Sequence, residues 1–298
     1  MSPEYPEVEV ENDKKTCEAQ PADKAAPSEA FAGISRRHFG KATLAASAGF
    51  LLPRMSFGVS QAPAPRATPS VATNVVLVHG AWADGSSWSK VIPQLEAKGI
   101  NVTAVQIPLT SLADDVATTR RELARQPGRT ILVGHSYAGF VVTEAGNAPN
   151  VVGLVYVSSY GPAEGESHDD LVKKFPAPPG VSVIRLGEDG FLLIERDKFA
   201  EMFAQDVDPA QAEIMAVVQK PLSKKMCFGV AVAQPAWKSK PSWFLLSTND
   251  RMINPDLQRF MAERMHAKVV SVPSSHASLI SHSAEAAKLI AEAAGHGA

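Results

Sequence analysis

Gly134-His135-Ser136-Tyr137-Ala138-Gly139 lies between an aliphatic run, Thr130-Ile131-Leu132-Val133, and a helix-forming run, Phe140-Val141-Val142-Thr143-Glu144-Ala145. A serine at a sharp strand-to-helix turn, with small residues two places to either side, has the form of a nucleophile elbow. Such a turn lifts the hydroxyl clear of its own backbone. It also sets the next N–H at the positive end of a helix, where an oxyanion can be held. The usual G-x-S-x-G pattern is broken once: Ala138 takes the final glycine position, and glycine follows at 139. That methyl group is a small steric load, which the neighbouring glycine is expected to relieve. Taken alone, the stretch could also serve a bound phosphate or a plain turn, so its weight depends on what the rest of the chain supplies.

Outward from the elbow, short apolar runs alternate with amphipathic ones. Strands are expected at Val75–Val78, Val102–Gln106, Thr130–Val133, Val151–Val157, Ser242–Ser247 and Lys268–Val272. Helices are expected at Ser87–Ala97, from Ser111 to Ala124, at Ser136–Gly146, Pro255–Met265 and Ala284–Ala294. Asp114 forms a near capping box with Ser111, and Asn254 precedes the proline that opens its helix. The continuous aliphatic strands are those of a parallel sheet buried on both faces. The expected fold is therefore α/β: a doubly wound, mostly parallel, six-stranded sheet. Between Pro162 and Pro241 the rhythm breaks. Val181–Leu186 and Phe191–Ile194 flank Gly187-Glu188-Asp189-Gly190 as a hairpin, and Pro209–Gln219 reads as a helix started by Asp208-Pro209. This segment, about 162–241, is read as a small cap inserted after the fourth core strand, over the sheet's C-terminal edge; a purely structural excursion is the other reading.

A serine hydroxyl needs a base, and the base needs an orienting acid. Downstream of Ser136 the chain supplies Asp250 just after one expected strand and His276 just after the last, so all three leave the same sheet edge. The other histidines fit less well. His79 belongs to the loop after the first strand, His135 neighbours the serine and is expected to point away from it, His168 lies in the cap, and His282 follows the catalytic loop. Asp256 is the rival acid, but it occupies the first turn of a helix, where a carboxylate answers the helix dipole. Gly80 permits a tight turn, so that the N–H of Ala81 can join that of Tyr137 as an oxyanion hole. Trp82 and Trp88 are read as packing residues. Phe191, Phe199, Met202, Phe203 and Trp237 either line an apolar pocket or pack a cap helix on itself.

His79-Gly80-Ala81-Trp82 with Gly85 and Trp88, Gly-His-Ser136-Tyr-Ala-Gly, Thr-Asn-Asp250 with Pro255 and Gln258, and Ser-Ser-His276 together carry a resemblance. From Asn74 to Ile290 the chain resembles the small serine hydrolases of the α/β-hydrolase superfamily related to plant methyl-salicylate esterases and hydroxynitrile lyases, in a bacterial branch. The resemblance implies Ser136 as nucleophile, His276 as base, Asp250 as orienter, a mostly apolar acyl pocket, and no metal or organic cofactor. The lyases carry threonine at the Gly80 position and lysine after the histidine. Here Gly80 and Ala277 leave a cyanide leaving group without a cationic partner. A dehalogenase needs an aspartate at the elbow, which Ser136 excludes. The expectation is a hydrolase of small carboxylic esters. Amide or lactone hydrolysis and perhydrolysis use the same triad and stay open, as does a ligand-binding protein of hydrolase form with little turnover.

The chain has 298 residues, 45% hydrophobic and 20% charged, with a formal net charge of -2. That suits one core domain, placed at 73–298, and gives no footing for nucleic acid. Residues 1–34 are acidic and short of aliphatic periodicity, and are expected to be disordered. Ser35-Arg36-Arg37-His38-Phe39-Gly40-Lys41 and the weakly apolar run after it resemble a twin-arginine export signal, placed at 35–62 and ending at the small-x-small Ser60-Gln61-Ala62. The apolar run falls short of the roughly 20 residues of a stable membrane anchor. Pro63 to Ala72 reads as a linker. Export by that machinery to the periplasm or beyond is the expectation; the alternative is a basic surface helix. Cleavage there would leave Cys227 without Cys17, and no Cys/His cluster has zinc-ligand spacing. Oligomeric state is not written in the pattern.

Overall fold

The computed structural model describes residues 71–296. The stretches read as an acidic extension (1–34) and an export signal (35–62), and residues 63–70 of the stretch read as a linker, lie outside the described residues. From Asn74 the chain alternates: β1 (Asn74–Val78), α1 (Ile92–Glu96), β2 (Asn101–Val105), α2 (Leu112–Ala124), β3 (Thr130–His135), α3 (Ala138–Ala145) and β4 (Val151–Val157). The stretch that follows holds α4 (His168–Val172), β5 (Ile184–Leu186), β6 (Phe191–Ile194), α5 (Arg196–Phe203), α6 (Pro209–Val218) and β7 (Leu222–Ser223). The alternation then resumes with β8 (Ser242–Ser247), α7 (Pro255–Arg264), β9 (Lys268–Val272), α8 (Ser278–Ser281) and α9 (Ser283–Ala293).

Six strands form one sheet in the order β2-β1-β3-β4-β8-β9, and every pairing is parallel. Every residue of β1 and β3 is buried, as the unbroken aliphatic runs require for strands covered on both faces. Each such Val or Leu contributes roughly 1.5–3 kcal/mol by leaving water. α2 packs with α3, and α1 with α9, so the sheet is flanked by helices. Among the described residues no helix is long and apolar enough to cross a membrane.

The topology places the elbow. From β1 the chain moves outward to β2, then returns to β3 on β1's other side. The direction of winding reverses between β1 and β3, and the crevice beyond the C-terminal ends of such strands is where an open α/β sheet binds its ligand. The loops after β1 and β3 therefore meet there.

Three local expectations change. The helix expected over Ser87–Ala97 is two pieces, a 3-10 turn at Gly85–Trp88 capped by the Asp84 side chain and then α1, because Pro93 can stand only at a helix start. The hairpin begins later than expected, since residues 179–183 form a 3-10 turn, and it gains a third strand, β7. β3 continues two residues beyond Val133, and α3 begins only at Ala138.

Candidate active site

Ser136 adopts φ 56°, the left-handed region that a β-carbon disfavours. Its backbone is held there on all sides. The Ser136 N–H donates to the Val157 carbonyl at 3.2 Å, and its carbonyl accepts from Gly139 N at 3.0 Å, Tyr160 N at 3.2 Å and Ser159 Oγ at 2.8 Å. The strain recurs along the sheet: Trp82, Leu109 and Ser158, after β1, β2 and β4, also have positive φ. Such outliers persist only where the surroundings over-determine them.

The glycines of the elbow have separate reasons. A β-carbon on Gly134 would stand 2.8 Å from Val142 Cγ1 and 2.9 Å from the Ala138 carbonyl oxygen. One on Gly139 would fall 1.8 Å from the Tyr160 carbonyl oxygen. Gly139 is thus not a displaced elbow glycine relieving Ala138, as the sequence suggested; it lets the segment after β4 cross α3. The Ala138 methyl is itself fully buried.

The three side chains placed in order by the sequence converge. The Ser136 hydroxyl donates to His276 Nε2 at 2.7 Å, and His276 Nδ1 donates to Asp250 Oδ2 at 2.8 Å. Asp250 is itself pinned: Oδ1 accepts from Met252 N at 2.7 Å and Ile253 N at 2.9 Å, and Oδ2 also accepts from Gln258 Nε2 at 2.8 Å. Gln258 Oε1 in turn accepts from Ser247 N at the end of β8. Asp256, the rival acid, stays at the start of α7, where its N–H meets the Asn254 cap at 2.8 Å. The serine is 4% exposed, the aspartate 5%, and the histidine wholly buried.

Across the crevice, a β-carbon on Gly80 would stand 2.8 Å from Ser136 Cβ and 2.9 Å from His135 Nδ1, so only glycine lets this loop lie against the elbow. Ala81 and Tyr137 are both buried, and among the described residues neither N–H donates a hydrogen bond. His79 braces the loop from behind: Nδ1 donates to the Gly80 carbonyl at 2.9 Å, and Nε2 accepts from Ile107 N at 3.1 Å. Burial, above all, lowers its pKa to about 4, so the ring stays neutral and can accept.

His135 does not simply point away. Its Nε2 donates to the His276 carbonyl at 2.9 Å, its ring lies 4.9 Å from that of His276, and burial first, then the His276 charge, holds its pKa well below the usual value. His168 bonds Tyr160 Oη at 3.1 Å and stacks on Phe228, while His282 lies 3.9 Å from Asp206. Of the aromatic residues singled out between β4 and β8, Phe203 meets the His276 ring edge-on at 4.8 Å, and Phe199 stacks on Phe203. Trp237 is elsewhere, donating to the Pro162 carbonyl at 2.7 Å. Trp82 ties the loop after β1 to β6 through Nε1 and the Leu192 carbonyl at 2.9 Å, and Trp88 is fully buried packing.

The sequence pattern assigns no site role to Asp206 or Asp115, and Gln258 enters it only among the residues that carry the resemblance. Asp206 Oδ2 accepts from Ser275 N at 2.9 Å, one residue before His276. Nothing local marked it. Asp115 did carry a signal: it stands among the apolar positions of α2, Leu112, Val116 and Leu123, where a carboxylate does not belong.

Residues 75–289 match the family model of the alpha/beta hydrolase family. The chain is 33% identical over 159 residues to a carbendazim hydrolyzing esterase from a Nocardioides species, a match spanning 49% of this chain and 63% of that protein. It is 24% identical over 218 residues to Methylesterase 8 of Arabidopsis thaliana, covering 65% of this chain and 79% of that one. The solved structure of a pyrethroid hydrolase from Sphingobium faniae superposes with a TM-score of 0.66 at 24% identity, over 75% of this chain and 98% of the other, a likeness of fold.

Proposed function

The chain belongs to the alpha/beta hydrolase family, and we propose that within it the protein is a serine-dependent hydrolase of small carboxylic esters working through an acyl-enzyme. The observation that carries this reading is the unbroken line from Ser136 Oγ through His276 to Asp250, at 2.7 and 2.8 Å, beside two unengaged backbone N–H groups. The esterase and hydrolase names of the relatives support it.

In this mechanism Ser136 Oγ attacks the ester carbonyl while His276 Nε2 takes the hydroxyl proton. The tetrahedral oxyanion is met by the Ala81 and Tyr137 N–H groups. The alkoxide departs with the proton from His276, leaving the acyl group on Ser136. Water attacks that acyl carbon, giving its proton to His276, and the acid leaves as the proton returns to Ser136 Oγ. Asp250, accepting from Nδ1, fixes the tautomer in which Nε2 is free to accept and favours the imidazolium. Ser136→Ala is expected to remove turnover of p-nitrophenyl acetate and butyrate by roughly 10³-fold or more while the melting temperature holds. Near wild-type activity in that variant would end the proposal. Labelling of Ser136 by a fluorophosphonate without turnover of any ester would favour a ligand-binding role instead.

Export by the twin-arginine route is proposed on Arg36-Arg37 and the apolar run after them. Replacing both arginines by lysine should trap the precursor in the cytoplasm, and unchanged export would remove the idea.

A further inference from the structure

α2 buries a stripe of Leu112, Asp115, Val116, Thr119 and Leu123. Asp115 is the anomaly, a fully buried carboxylate in a helix interior. Each of its oxygens has one partner: Oδ1 accepts from Leu109 N at 2.8 Å, and Oδ2 accepts from Tyr137 Oη at 2.8 Å. Burial is the dominant influence and pushes its pKa up to about 6, against the pull of those two bonds and of Lys220. The titratable groups that face it are Tyr137 from the elbow, Lys220 and Cys227 from the insertion, and Asp114 from its own helix. A leucine would fill this stripe without the desolvation that a carboxylate suffers, so the position calls for a reason beyond packing.

Its two partners supply one. Tyr137 directly follows Ser136, its N–H donates no hydrogen bond among the described residues, and no side chain caps the helix it opens. Leu109 has φ 62°, a costly conformation for its side chain, in the loop between β2 and α2. In the same loop the Ile107 N–H bonds His79, which grips Gly80, and the Ile107 carbonyl accepts from Lys220. One short loop thus reaches both sides of the crevice, Ala81 by way of His79 and Tyr137 by way of Asp115.

We propose that Asp115 is a positioning residue for the oxyanion hole: by joining Tyr137 Oη to Leu109 N it locks the elbow to the β2–α2 loop and so fixes the separation of the Tyr137 and Ala81 N–H groups. The proposal rests on the reading of Ser136 as nucleophile. The Asp115 carboxylate bonds Leu109 N and Tyr137 Oη and, among the described residues, no atom of Ser136, His276 or Asp250, so its effect on the reaction passes through the position of the Tyr137 N–H, where charge develops in the transition state.

The test uses Tyr137→Phe, which deletes the hydroxyl and keeps the backbone N–H, Asp115→Asn, which keeps the shape and removes the charge, and the double variant. Each is assayed for kcat and KM on p-nitrophenyl acetate, and for the Ki of an aryl trifluoromethyl ketone, which adds a serine hydroxyl to give a hemiketal oxyanion. Tyr137→Phe is expected to lower kcat and raise Ki about tenfold with KM within about twofold, since small misplacements of transition-state groups are expensive. Asp115→Asn should move both in the same direction by a smaller factor while melting no earlier at pH 8, and the double variant should add little to Tyr137→Phe. Changes in melting temperature with kcat and Ki unchanged would make the pair merely structural and overturn the proposal. Ser136→Ala separates the two readings. If it loses turnover and ketone binding while the Tyr137 and Asp115 variants behave as wild type, only this proposal fails. If it keeps both, the nucleophile reading fails and takes this one with it.

Discussion

At the C-terminal edge of the six-stranded sheet, loops after its strands bring Ser136, Asp250, His276 and Gly80 together in a small buried volume where the serine, histidine and aspartate side chains are hydrogen-bonded in series. Between β4 and β8 the chain does the reverse. It is built of short helices and a three-stranded antiparallel sheet, and it carries seven of the nine exposed large hydrophobic residues among the described residues, Leu186, Leu193, Ile214, Val217, Val218, Met226 and Val230. The two regions meet at Phe203 over the His276 ring, and at Asp206 and Gln205, which bond Ser275 N and the Asn249 carbonyl. The difference teaches where each property is encoded. The edge holds a fixed hydrogen-bonded geometry, and the stretch between β4 and β8, which we propose is an apolar cover, reaches that geometry at a few residues such as Phe203 and Asp206.

That division can be broken by substitution. The largest effect is expected from Asp250→Asn, which preserves the packing but favours the wrong imidazole tautomer; kcat should fall by about 10⁴-fold, measured on p-nitrophenyl acetate. Gly80→Ala comes next. Its methyl would press on Ser136 Cβ and His135, so kcat should fall roughly 10²-fold as the loop is pushed off the elbow. The smallest effect belongs to the cover. Phe203→Leu should cost less than about 1.5 kcal/mol of stability and shift the ratio of kcat/KM between acetate and butyrate esters by about tenfold. Were Phe203→Leu to silence the protein as thoroughly as Asp250→Asn, the edge and the cover would be a single functional unit and the comparison would fail.

What the amino-acid pattern disclosed follows the same line. Ser136, Asp250 and His276 each stand in a loop that follows a strand of the main sheet, β3, β8 and β9 in turn, so position along the chain predicts position in space. The order of the strands and the elbow turn then do the rest. Gln258 and Asp206 act through contacts that exist only after folding; Asp206 lies 69 residues before the Ser275 it holds. Inside the insertion the hairpin and α6 were visible from their turn residues and proline, whereas α5, which lays Phe203 on the histidine, has no side-chain cap to announce it. Gly139 is visible in the sequence but its reason is not, because that reason is the Tyr160 backbone in the segment after β4, and no local rule of elbows contains that neighbour.

The serine and its histidine are 140 residues apart in the chain. Between them come three strands of the main sheet, β4, β8 and β9, and the whole insertion, and β9 must dock on β8 before the imidazole reaches the hydroxyl. During synthesis the serine emerges long before its partner. On the proposed mechanism, a chain truncated before β9 carries a serine hydroxyl with no base beside it, and reactivity arrives only with the last strand. The distance along the polypeptide would then work as a timer that keeps the hydroxyl silent until the molecule that controls it is folded.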